Sequence, residues 1–142
     1  MPVKIYDADQ VTLSCFGFNV DSGLADGEFC ALEREMSHRS AKSGTDGEVV
    51  VSKNNSKLAT LHIKVMQTSD ANTKLSAILE LDRRKSNGAG VGKFILRDRS
   101  GTALHSGTCW IQDVPGSTFA REATEREWTL GVTLDVDFPG GS

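Results

Sequence analysis

The sequence predicts a mainly β chain: a β-sandwich or barrel of about seven or eight strands with one flanking α-helix at about 70–84. Three observations carry this. Apolar and polar residues alternate with period two through VTLSCFGFNV (11–20), LATLHIKVMQT (58–68) and ATEREWTLGVTLDVDF (123–138). A single stretch, SDANTKLSAILELDRRK (69–85), spaces its apolar residues as a helix does. The segments between are short and rich in Gly, Asp, Asn and Ser, the residues that turn a chain.

In chain order, residues 1–10 are a polar lead-in, and 11–20 read as one strand. DSGLADGEF (21–29) is a turn with Asp26-Gly27 as its tight element. Residues 28–37 carry good helix formers at Glu33–Met36, but the segment starts on a turn and alternates, which favours a strand. HRSAKSGTDG (38–47) reads as a polar loop. Glu48–Ser52, with three consecutive valines, is a short strand, and Lys53–Lys57 is the next turn.

The strand at 58–68 places Ala59, Leu61, Ile63 and Val65 on one side. In the helix, Ser69 or Asp70 can cap the start. Ala71, Leu75, Ile78, Leu79 and Leu81 form its apolar stripe, Arg83, Arg84 and Lys85 suit the negative end of its dipole, and Asn87-Gly88 stops it. Strands follow at 93–98 and 102–112, separated by a DRSG turn. In the last strand Trp128, Leu130, Val132, Leu134, Val136 and Phe138 are expected to face one way. Glu125, Glu127, Thr129, Gly131, Thr133, Asp135 and Asp137 would face the other. The tail at 139–142 is a short flexible extension.

Bulk properties narrow the function. A chain of 142 residues with 38% hydrophobic and 25% charged content can build one core, and its aromatic content of 6% makes that core lean. A net charge of −3 lacks the basic footprint of a nucleic-acid binder. No apolar run approaches the roughly 20 residues of a membrane span, and no secretory leader is visible, so synthesis and retention in the cytosol are expected.

Chemistry-bearing motifs are few. GAGVGK (88–93) resembles a phosphate loop. However, Asn87 and Phe94 stand where Gly and Ser or Thr belong, and the loop opens a strand rather than a helix. His38, His62 and His105 have no metal-ligand or triad spacing, and the acidic turns lack a calcium-loop pattern. No enzyme and no cofactor are expected. Cys15, Cys30 and Cys109 are widely spaced with no CxxC; they read as reduced, mostly buried thiols, or else one of them bridges chains. The carboxylates Glu125, Glu127, Asp135 and Asp137 read either as an ordinary solvated sheet face or as a surface that faces a polyanion without binding it.

Several stretches together resemble the tail tube proteins of contractile-tailed bacteriophages. They are YDADQVTLSCFGFNV, LADGEFCALERE, GTDGEVVVSKNN, VMQTSDANTKLSAIL and CWIQDVPGSTFAREATEREWTL, in the same order and spanning about residues 5–135. The resemblance implies a single tail tube domain over 1–142 with a protruding arm at about 37–57. It implies hexameric rings stacked into a hollow tube inside a contractile sheath, built around a tape measure protein and conducting DNA without holding it.

Sheath, baseplate and tail terminator proteins would be partners, with no membrane involved. Assembly would take place in the host cytoplasm and the product would be part of the virion. Under that resemblance Glu125, Glu127, Asp135 and Asp137 are expected to line the channel. Ser43, Gly44, Thr45, Asp46, Lys53, Asn54 and Asn55 would contact the next ring, and Cys15, Cys30 or Cys109 would be available for a bridge between subunits. A tube terminator, a baseplate hub component or a secretion-type tube protein on the same fold is the alternative, and an isolated β-sandwich binding module a third reading.

Overall fold

The computed structural model describes residues 3, 5, 7, 10–20, 29–85 and 90–140. These form nine strands and one helix: β1 (Val11–Cys15), β2 (Phe18–Asn19), β3 (Cys30–Arg34), β4 (Arg39–Ser43), β5 (Val49–Lys53), β6 (Leu58–Met66), α1 (Asp70–Arg84), β7 (Val91–Asp98), β8 (Leu104–Asp113) and β9 (Glu125–Phe138). Seven strands make one antiparallel sheet in the order β2-β1-β7-β8-β9-β6-β3. The other two, β4 and β5, pair only with each other. The mainly β, sandwich-type architecture with one flanking helix is therefore as expected. The barrel form is not, because β2 and β3 at the two ends of the sheet do not pair and the sheet stays open.

One face of the sheet holds the core. Leu13 and Cys15, Phe94, Cys109, Trp128 to Val132 at even positions, and Ala59 to Val65 at odd positions are all buried there. Partly buried Cys30 and Leu32 of β3 pack on the same cluster as Leu13 and Cys15 of β1, so the sheet curls until its two ends share one interior. The helix closes this face through Ala71 and Leu75, which are buried, while Leu81 of the expected stripe is 41% exposed.

Local chemistry explains how the helix is set. The Ser69 hydroxyl accepts the Ala71 N–H at 3.2 Å and caps the first turn. Asn72 donates to the carbonyls of Met66 and Gln67, and its own oxygen accepts Trp128 Nε1–H at 2.9 Å. One side chain thus ties the β6–α1 turn, the helix and the central strand together. Lys74 Nζ lies 5.2 Å over the Phe18 ring and anchors the helix to β2. The Asp26-Gly27 turn and the Asn87-Gly88 stop lie outside the described residues.

Three expectations change. The run 11–20 is two strands rather than one. Phe16 (φ 54°) and Gly17 (φ 87°) both occupy left-handed backbone, the two-residue turn that matches strand twist in a hairpin. Residues 38–47 are not all loop, because RSAKS forms β4 against VVVSK. And β9 does not alternate to its end. Gly107 pairs with Leu134 but Ser106 pairs with Val136, leaving Asp135 as an extra residue in a β-bulge. Beyond the bulge the faces exchange: Val136 and Phe138 are exposed, and Asp137 lies on the core side.

Candidate functional site

The face away from the helix is uncovered among the described residues. Cross-strand partners share a face, which places Glu33 of β3, His62 and Lys64 of β6, Glu125, Glu127, Thr129 and Thr133 of β9, Thr108 and Trp110 of β8, and Lys93 and Arg97 of β7 on it. Glu125 and Glu127 stand where the sequence puts them, on one exposed row.

The face is not uniformly acidic, since Lys64 sits directly across from Glu127 and β7 supplies two cations. His62 Nδ1 lies 3.0 Å from Glu127 Oε1, and Nε2 lies 3.7 Å from Glu33 Oε2, so the ring bridges carboxylates of two strands. Trp110 covers Gly131, where a Cβ would overlap the indole.

Asp137 belongs elsewhere. Arg34 donates through Nε to its Oδ2 at 2.7 Å and through Nη2 to its Oδ1, and His105 Nδ1 lies 2.9 Å from that same Oδ1. The Arg34 hydrogen bonds hold the Asp137 carboxyl below its usual range, with smaller help from His105. The expected row of four carboxylates is thus corrected. Glu125 and Glu127 remain on it, Asp135 is the bulged residue, and Asp137 ties β9 to β3 at the end of the sheet.

The hairpin β4–β5 is exposed at every strand position. Its tip is closed by Gly44 N–H donating to Glu48 O at 2.8 Å and Glu48 N–H donating to Asp46 Oδ1 at 3.1 Å, with Gly47 at φ 86°. Ser43, Gly44, Thr45 and Asp46 are therefore at the free end. Lys53, Asn54 and Asn55 are at the root, where Asn54 N–H donates to His38 O at 2.8 Å. Five residues of strand, roughly 17 Å, separate the two groups. Ala41, Val49 and Val51 share one hairpin face, and the three valines of β5 are 52–60% exposed.

Beside the root lies a cavity of about 410 Å³ whose walls include Met36, Leu58, Leu134, Pro139, Lys57 and Asp135. Reading the sequence as loop at 38–47 hid the strand β4 and this cavity. The Gly44–Gly47 turn between two equal five-residue runs was the available signal.

Cys15 and Cys109 are completely buried in the core. Burial pushes both thiols up to about 12, reinforced at Cys15 by Cys109 and Cys30 and opposed at Cys109 by a backbone hydrogen bond from Phe16. Cys30, on the outermost strand, is half-buried. No group of three His, Cys, Asp or Glu side chains among the described residues could hold a metal ion.

Among the described residues, an open sheet with two unpaired ends, a hairpin paired only with itself and an uncovered face that mixes charges with exposed Val91, Ile95, Val136 and Phe138 are features of a building block whose surfaces are completed by other molecules. Comparison with known proteins agrees. Residues 7–137 match the family model described as the bacteriophage PhiTE tail tube protein. The chain belongs to this tail tube family and is a structural protein of the phage tail. Among curated proteins it is similar to structural protein ORF10 of Pseudomonas phage KPP10, with 24% identity over 122 residues, covering 85% of this chain and 70% of that protein.

Proposed function

We propose that the chain is the repeating subunit of the tail tube: hexameric rings stack into a hollow tube, inside a contractile sheath, through which the genome passes. The observation that supports this is the open seven-stranded sheet, whose helix-free face is uncovered and whose two outer strands have no further strand partner among the described residues. Unpaired edges are a liability in an isolated subunit. A head-to-tail ring joins them, and repetition of a second head-to-tail contact makes a filament.

In this reading the helix-free face looks into the channel. Glu125 and Glu127 offset Lys64, Lys93 and Arg97 there. Each uncompensated Lys or Arg would add salt-dependent affinity for phosphates and slow transit; balanced charge lets DNA slide. Asp135, at the bulge, belongs to the rim of that wall, and Asp137 serves as a strut. The hairpin reaches the adjoining ring. The role is mechanical, with no reaction to catalyse. The tape measure protein templates length in the lumen, the sheath covers the helix side, and baseplate and terminator proteins cap the ends. Assembly takes place in the host cytoplasm.

Negative-stain microscopy of the purified protein tests the reading. Rings and tubes are expected. Single rings that never stack would instead assign a terminator or hub role, and a strict monomer at high concentration would assign an isolated binding module.

A further inference from the structure

The antiparallel register gives the sheet two rims. The C-terminal end of β9, the N-terminal end of β6 and the root of the hairpin lie at one rim, with the 410 Å³ cavity between them. The loop 114–124, joining β8 to β9, lies at the other. On that loop Phe119 is 79% exposed, and the Arg126 guanidinium lies over its ring at 5.7 Å. A large aromatic left in water at the tip of a loop contributes nothing to its own fold.

The two features match. The cavity wall is apolar at Met36, Leu58, Leu134 and Pro139, and besides the mutually paired Arg34 and Asp137 it carries one further charge of each sign, Asp135 and Lys57. The loop carries the aromatic followed closely by one charge of each sign, Arg121 and Glu122. None of Asp135, Lys57, Arg121 and Glu122 makes an ion pair among the described residues. The cavity has room for an aromatic ring, which would bury roughly 150–250 Å² there. Phe119 cannot reach the cavity of its own chain. The rims are separated by about ten residues of β9, roughly 30 Å, while the five residues from 119 to 124 span at most about 17 Å.

We propose that Phe119 of one copy seats in the rim cavity of a second copy, with Arg121 facing Asp135 and Glu122 facing Lys57. The contact is heterologous and joins opposite rims, so it repeats along an axis and gives the filament a direction. It rests on the tube reading and adds to it the anchor that holds one ring on the next. A buried aromatic at the centre of a contact, ringed by charges, is the usual arrangement of a binding hot spot.

The test places Ala120→Cys and Met36→Cys together in a Cys30→Ser chain, leaving Phe119 in place, and oxidises the assembled protein. A reductant-sensitive ladder extending beyond dimers is expected from the double variant, with the single variants running as monomers. In parallel Phe119→Ala, an exposed position whose truncation leaves the core untouched, is expected to keep a wild-type melting curve and lose tubes, with Phe119→Trp restoring them. Tubes from the double variant that yield no ladder, or tubes of normal length from Phe119→Ala, overturn the seat while leaving the tube reading intact. An unmutated protein that forms no tubes overturns both.

Discussion

Gly107 of β8 and the carbonyl of Thr133 of β9 approach so closely that a Cβ on Gly107 would overlap the carbonyl oxygen. This approach sits at the bulge where Asp135 is left over. The obstacle is backbone rather than a movable side chain, so Gly107→Ala should cost about 1–3 kcal/mol, as overpacked sites do. Urea denaturation followed by tryptophan fluorescence measures it. A midpoint equal to that of the parent would show that the bulge tolerates a side chain.

Asn72 satisfies the indole N–H of Trp128, which is 2% exposed. Asn72→Ala leaves that donor buried and removes two donations to the β6–α1 turn. A loss of about 1–3 kcal/mol is expected for the stranded donor alone, read as a lower thermal midpoint. Asn72→Asp, which keeps the acceptor, should recover part of it.

The Asp137 carboxyl lies below its ordinary value of 3.8, chiefly through the Arg34 hydrogen bonds. A carboxyl depressed by folding stabilises the fold at pH above its unfolded value, and that contribution fades as pH falls through the folded value. Both side chains are partly exposed, so solvent screening limits the contribution to about 0.5–1 kcal/mol. Asp137→Asn should therefore be less stable than the parent at pH 7, with the difference shrinking below about pH 4. A difference that stays constant down to pH 2 would assign the effect to packing instead.

The three thiols should react in two classes. In native protein at pH 8, iodoacetamide should modify Cys30 and spare Cys15 and Cys109, whose protonation is enforced by burial. Unfolding should expose all three, as peptide mass spectrometry can show. If tail particles display a reductant-sensitive band, Cys30→Ser should remove it.

Removing residues 40–46 takes out most of β4 and the tip of the hairpin. The hairpin pairs only with itself, so the seven-stranded sheet should survive and rings should still form. Tubes should be lost, by microscopy. Normal tubes from this deletion would take the hairpin out of the stacking contact.

Strands β6 and β9 and helix α1 were legible because their patterns are local. Period two from Ala59 to Val65 and from Trp128 to Leu134 reports one buried face, and Ser69 to Arg84 carries its own cap and terminal charges. The β4 strand was not legible, because RSAKS is polar at every position and owes its extended shape to the turn at Gly44–Gly47 and to its valine partner. The exchange of faces after Leu134 was hidden for another reason. It sits opposite Gly107, 28 residues earlier than Asp135, where β8 approaches β9 most closely. Asp137 accordingly looked like one more member of an acidic row, while its partner Arg34 stands 103 residues away. The tip and root of the hairpin, by contrast, announced themselves through Gly, Asp and Asn.

The leftover residue at 135 also marks where the chain can change length. In any regular part of β9, gaining or losing one residue turns every later side chain to the opposite face. At Asp135 it does not. Omitting that residue would leave Leu134 facing in and Val136 facing out in plain alternation, with the Arg34–Asp137 tie on its proper side. Gln112, skipped between Ile111 and Asp113, offers β8 the same freedom at the other rim. Insertions and deletions among relatives should therefore gather at these two positions, where a genome can lengthen or shorten a strand by one codon without rebuilding the wall.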